Sequence, residues 1–160
     1  MRVPTEAEWG GYQGDLDQDY AHKRFAGRTN QEMVPHFRRN LIESTGELRW
    51  MPEIPFRYYM LGFRDFVMAG EFEDLGASDA ASCFLGLVSE KHEQPNYILP
   101  IMPELFPALR HLAQNQTVFG AAKSIYGSFY DKLAQIESLC YGPSENARDC
   151  LEGADHHART

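Results

Sequence analysis

Apolar side chains recur at intervals of three and four residues along most of this chain, and that spacing is the strongest constraint on its fold. Over 55–67 the apolar set is Phe56, Tyr59, Met60, Phe63, Phe66 and Val67; over 78–88 it is Ala81, Phe84, Leu85 and Val88. Over 117–140 it is Val118, Ala122, Ile125, Phe129, Leu133, Ile136 and Cys140. With 3.6 residues per turn such side chains share one helix face, whereas a strand would scatter them onto both of its faces. Clusters suited to strands reduce to 96–99 and 48–50. The expectation is an all-α fold.

The boundaries follow from capping and breaking residues. Thr29 and Glu32 form a capping box, after which Met33, Phe37 and Leu41 share a face; Pro35 weakens this helix and Ser44-Thr45-Gly46 ends it. Residues 47–51 read as an extended connector, because Pro52 and Pro55 follow. Pro55 suits the first position of the next helix, and Gly70 suits its end. This segment is the most apolar and should be the central helix. Ser78 caps the following helix, with Asp79 in its first turn and Lys91 and His92 at its end, in line with the helix dipole. A short helix with Leu105, Phe106, Leu109 and Leu112 starts near Pro103. The last helix, over 117–140, contains Gly120 and Gly127, each costing about 1 kcal/mol relative to Ala, which suggests close helix packing there.

The 160 residues suit a single domain, taken as 1–142, a bundle of four or five helices. A chain of this length buries enough surface to fold without a disulfide or a metal. Residues 1–28 carry Gly10, Gly11, Gly14 and Gly27, with Trp9, Tyr12, Tyr20 and Phe25 between them, and read as an irregular arm pinned to the body by its rings. Residues 143–160 are polar and read as a frayed tail.

Charge narrows the function. Lys and Arg number 15 against 23 Asp and Glu, a formal net charge of −8, which argues against a nucleic-acid partner because phosphates require clustered bases. No apolar run approaches the 18 or so residues of a membrane span, and the first residues lack the apolar core of a signal peptide, so a cytoplasmic, reduced protein is expected. The cysteines Cys83, Cys140 and Cys150 have neither framework number nor metal spacing, and Cys83, on an apolar helix face, reads as inert. None of the phosphate-loop, dinucleotide, zinc-protease or nucleophile-elbow motifs occurs. The histidines His22, His36, His92, His111, His156 and His157 never stand at helical ligand spacing. Neither metal nor cofactor is therefore expected.

Two acidic features remain. Asp15, Asp17 and Asp19 resemble the start of a calcium loop, but the sixth and twelfth positions hold Tyr20 and Ala26 where Gly and Glu are needed. They read as a solvated turn or as a contact for a basic partner. Glu71, Glu73, Asp74 and Asp79 fall within nine positions with no intervening base, beside Phe72 and Leu75. An ordinary hydrated loop is one reading. The sharper one is an interaction patch joining negative potential to two apolar anchors.

Four segments taken together resemble small bacterial proteins encoded beside polymorphic toxins. They are Phe25-Ala26-Gly27-Arg28-Thr29 leading to Glu32, the run Glu47-Leu48-Arg49-Trp50-Met51-Pro52, the run Pro55-Phe56-Arg57-Tyr58-Tyr59, and Ser78-Asp79-Ala80-Ala81-Ser82-Cys83-Phe84-Leu85. The resemblance covers roughly residues 20–90 and implies an immunity protein that binds a cognate toxin and occludes its active site, with no catalytic residues to carry over. The competing classes are a small helical hydrolase-like enzyme using residues such as His22, His36 and Asp65, and a regulatory subunit of a larger assembly.

Overall fold

The computed structural model describes residues 1–72 and 76–142, so the polar tail and the link residues Glu73, Asp74 and Leu75 lie outside the described residues. The helices are α1 (Glu6–Trp9), α2 (Leu16–Phe25), α3 (Asn30–Arg39), α4 (Leu41–Trp50), α5 (Glu53–Ala69), α6 (Gly76–Lys91), α7 (Pro95–Ile98), α8 (Met102–Gln114), α9 (Lys123–Tyr126) and α10 (Phe129–Tyr141). Two tighter 3-10 turns, Tyr12–Gly14 and Leu99–Ile101, join them. No strand occurs among the described residues, so the fold is all-α. The expected four or five helices are too few: seven among the described residues run ten residues or more.

Three expectations are corrected. The N-terminal arm is largely helical. Asp15, read as part of a solvated turn, caps α2 by accepting from the amides of Asp17 (2.9 Å) and Gln18 (3.1 Å). Asp17 and Asp19 then occupy the first turn and His22, Lys23 and Arg24 the last, the order the helix dipole favours. Of the expected aromatic pins, Trp9 and Phe25 are fully buried, Tyr12 is half-buried and Tyr20 is exposed.

Residues 41–50 form a helix where a stop and a connector were expected. The break falls earlier, at Asn40 (φ −133°, ψ 50°). Ser44 and Thr45 stay helical in a helix packed on α2 and α6, and their buried hydroxyls are satisfied by donating to carbonyls one turn back, at Asn40 (2.7 Å) and Leu41 (2.8 Å). The third correction is that 117–140 is not one helix. Gly120 and Gly127 adopt φ values of +67° and +73°, a region that favours glycine, and they turn the chain instead of packing helices closely. Val118 and Ile125, expected in the core, are 82% and 76% exposed. Gln116 holds the turn from inside: its amide donates to the carbonyls of Ala121 (2.9 Å) and Gly127 (2.7 Å) and its oxygen accepts from the Phe129 amide (2.9 Å).

Smaller shifts occur at two helix starts. Helix α5 begins at Glu53, which leaves Pro55 in its first turn, and α6 begins at Gly76, which puts Ser78 inside it. Gly70 ends α5 in the left-handed region as expected (φ +70°).

Helix α5 is central, packing against α1, α3, α4, α6, α7 and α8. The core is a run of aromatic rings in tilted and edge-on contacts. Phe25 meets Tyr59 (4.9 Å between centroids), Phe37 meets Phe63 (5.4 Å), and Phe63 meets Phe84 (5.8 Å). Such pairs add about 0.5–1.5 kcal/mol beyond the area they bury. The Tyr59 hydroxyl, inside this core, donates towards the carbonyls of Phe25 and Arg28, and burial pushes its pKa up.

Candidate functional site

Helices α3 and α5 pack along each other, with Phe37 of α3 meeting Phe63 (5.4 Å) and Phe66 (5.8 Å) of α5. Gly62 allows the start of α3 to come close, since a Cβ there would lie 2.2 Å from Asn30 Oδ1. Asn30 starts α3 and clips it to α5, its Nδ2 donating to the Tyr58 carbonyl (3.0 Å) while its backbone amide donates to the Tyr58 hydroxyl (3.3 Å). Asn30 Oδ1 is buried with no hydrogen-bond partner among the described residues. From this contact towards Glu71 the two helices line a groove of about 400 Å³. Val34, Phe66 and Ala69 supply its apolar lining, and Gln31, Asp65 and Glu71 supply polar groups.

This groove runs into the acidic link singled out from sequence. Arg38 of α3 reaches across to Glu71, its Nη2 lying 2.7 Å from the carboxylate and its Nε 3.1 Å from the carbonyl. Asp65 pairs in the same way with its neighbour Arg64 (2.7 Å). Both acids remain mostly exposed, at 69% and 65% of their side chains. Exposed pairs of this kind are worth about 0–1 kcal/mol, so an incoming cation can share or replace the internal arginine at little cost.

Two further residues of the expected patch, Phe72 and Asp79, are drawn inward. Phe72 is half-buried, edge-on to Phe66 (5.4 Å) and to Phe119 (6.2 Å). Asp79 accepts from the Tyr126 hydroxyl (2.8 Å), which also meets the Ser78 hydroxyl (3.1 Å) and ties α9 to α6. Asp15, Asp17 and Asp19 form a separate exposed feature at the start of α2, where Asp15 is a cap and Asp19 pairs with Lys23.

Each residue of the enzyme reading has its own surroundings. His22 stacks on Tyr12 (3.7 Å), edges Trp9 (5.1 Å) and meets Glu6 (2.9 Å), which lowers the Glu6 pKa. His36 meets Glu47 (2.7 Å), whose side chain is 4% exposed, while Asp65 faces the groove. Glu47 could not be picked out from sequence, since residues 47–51 read as a connector. Lys91 was likewise read only as a cation at a helix end, in line with the helix dipole. It is buried between Phe56 (5.0 Å) and Tyr97 (4.6 Å), and its Nζ donates to the Arg49 carbonyl (2.7 Å) and Gln94 (2.8 Å). Burial lowers its pKa from 10.5 to about 8.

Among the described residues no group of three His, Cys, Asp or Glu side chains is placed to hold a metal ion, and no helix is long and apolar enough to cross a membrane. Compared with family models, with curated proteins and with solved structures, the chain gives no match.

Proposed function

We propose that this protein acts by binding a more basic protein, as a cytoplasmic immunity protein binds its toxin, and that it does so without catalysis or a cofactor. The observation that carries the reading is the α3–α5 groove. It joins an apolar lining to two exposed acids and continues into the link that bears Glu71 and Phe72. A lysine or arginine of the partner can lay its methylene stem along Val34, Phe66 and Ala69 and present its charge to Asp65 and Glu71. The net charge of −8 steers a basic partner towards the chain, and burial in the groove supplies the affinity that exposed charge pairs lack. Glu73, Asp74 and Leu75, next in sequence, are the candidate continuation of this contact; Asp79 is held by Tyr126, and the Asp15, Asp17 and Asp19 cluster is the second contact to test.

The experiment is co-expression with any basic protein found encoded beside this one, scored by cell growth and by co-purification. Ala69→Trp fills the groove from an exposed position and should abolish both. The triple variant Glu71→Lys, Glu73→Lys, Asp74→Lys should weaken both. Wild-type protein that neither binds nor protects removes the immunity reading. Full protection by a folded Ala69→Trp variant removes the groove.

A further inference from the structure

Outside the groove, the end of α6 and the end of α10 bring together a thiol and an imidazole. His92 follows the last residue of α6, and Cys140 lies one residue before the end of α10, a helix packed against α6. His92 Nε2 is 3.1 Å from Cys140 Sγ, and His92 Nδ1 is 2.8 Å from the Val88 carbonyl. A carbonyl can only accept, so Nδ1 carries the hydrogen and Nε2 offers its lone pair to the thiol. A nucleophile, a base, and a third group that fixes the tautomer of the base are the parts of an activated cysteine. Both side chains are half-buried and not sealed in the core.

We infer that Cys140 and His92 form a reactive thiol–imidazole pair, a site for thiol–disulfide exchange with low-molecular-weight disulfides. As Cys140 Sγ attacks one sulfur of the disulfide R–S–S–R, its proton passes to His92 Nε2. The S–S bond breaks, and R–S⁻ leaves with its electron pair and takes the proton back from the imidazolium. The products are Cys140–S–S–R and R–SH, so Cys140 is oxidised, the departing half is reduced, and His92 is regenerated.

The charged surroundings require a base. Burial, and then Glu137 on α10, push the Cys140 thiol pKa up, so it rests protonated and needs a proton acceptor at the moment of attack. Arg110 of α8 lies 3.6 Å from Glu137 and partly neutralises it. On α6, the Lys91 ammonium is committed to Arg49 and Gln94. Tyr141 of α10 stacks on Phe106 (5.5 Å). His92 is the base within reach. Cys83, also half-buried and with its pKa raised by burial, faces Thr45 and serves as the internal control.

The test treats the full chain with the neutral probe 2-hydroxyethyl disulfide from pH 5.5 to 9.5 and measures the rate at each cysteine by peptide mass spectrometry. A protein disulfide that forms after the first adduct counts as reaction at the cysteine that carried that adduct. A positioned base is worth about 10²–10⁴-fold. Cys140 should therefore react at pH 7 at least about tenfold faster than Cys83, with a rate inflection between pH 5 and 8. His92→Gln should slow Cys140 at least about tenfold, erase that inflection and leave Cys83 unchanged. A Cys140 rate that climbs steadily to pH 9 without that inflection overturns the proposal, and so does a folded His92→Gln variant that reacts like wild type. If His92→Gln fails to fold, the wild-type pH profile decides alone.

Discussion

Gly62 sits in the middle of the longest helix, where Ala would ordinarily be preferred by about 1 kcal/mol. The structure predicts the opposite sign for Gly62→Ala. The new Cβ would stand 2.2 Å from Oδ1, 2.3 Å from Cγ and 2.7 Å from Cβ of Asn30. Swinging the Asn30 amide aside does not relieve the contact with its Cβ, so α3 must also move away from α5. Overpacking of this kind costs about 1–3 kcal/mol. The displaced Asn30 also loses its bond to the Tyr58 carbonyl, worth about another 1 kcal/mol. After the helix-propensity gain, the net loss is about 1–3 kcal/mol. For a chain of this length that corresponds to a drop in Tm of about 2–4 °C per kcal/mol.

Urea unfolding followed by far-UV circular dichroism checks the prediction, and a double-mutant cycle isolates the contact. All three close atoms belong to the Asn30 side chain. In an Asn30→Gly background, Gly62→Ala should therefore be neutral or stabilising by up to about 1 kcal/mol. The reasoning is refuted if Gly62→Ala stabilises the wild-type chain, or if it costs the same in both backgrounds.

Three further outcomes follow from single groups. Gln116→Leu removes the three bonds that hold the 116–129 turn, leaving two carbonyls and one amide without their side-chain partner, and should cost about 2–4 kcal/mol in urea unfolding. Lys91 has a folded pKa of about 8, below its ordinary value of 10.5, so between these values the unfolded chain holds a proton that the folded chain has lost. Stability of wild type relative to Lys91→Met should therefore rise from pH 8 to 10.5, by about 3 kcal/mol in full, and a flat difference in urea midpoints would refute it. Association with a basic partner should slow about tenfold or more between low and high salt in stopped-flow measurements, because screening removes the steering.

The sequence by itself determined the fold class, the central helix and most of the core. Phe56, Phe63, Phe66, Phe84, Phe129 and Leu133 are buried as their spacing requires, because helical periodicity is a local property that any compact solution must satisfy. Local chemistry also located the capping box at Thr29 and the stop at Gly70. Where two local signals competed, the surroundings chose between them. Ser44-Thr45-Gly46 reads as a stop, yet it stays helical because α4 is packed between α2 and α6, where the back-bonds of Ser44 and Thr45 satisfy their buried hydroxyls. Gly120 and Gly127 fit a close helix contact or a turn equally well, and Gln116 in the interior selects the turn.

The candidate site was legible only at its edge. Glu71 was visible as part of an acid run, but Arg38 lies 33 positions away in the chain, and the groove residues come from two helices that meet only in the folded chain. Lys91 looks like any exposed helix-end cation until Phe56 and Tyr97 enclose it. His92 and Cys140, separated by 48 positions, likewise meet only through the packing of α6 on α10. A one-dimensional pattern records which face of a helix is apolar. Which faces meet, and which polar groups they trap, is set by the packing of all the helices at once.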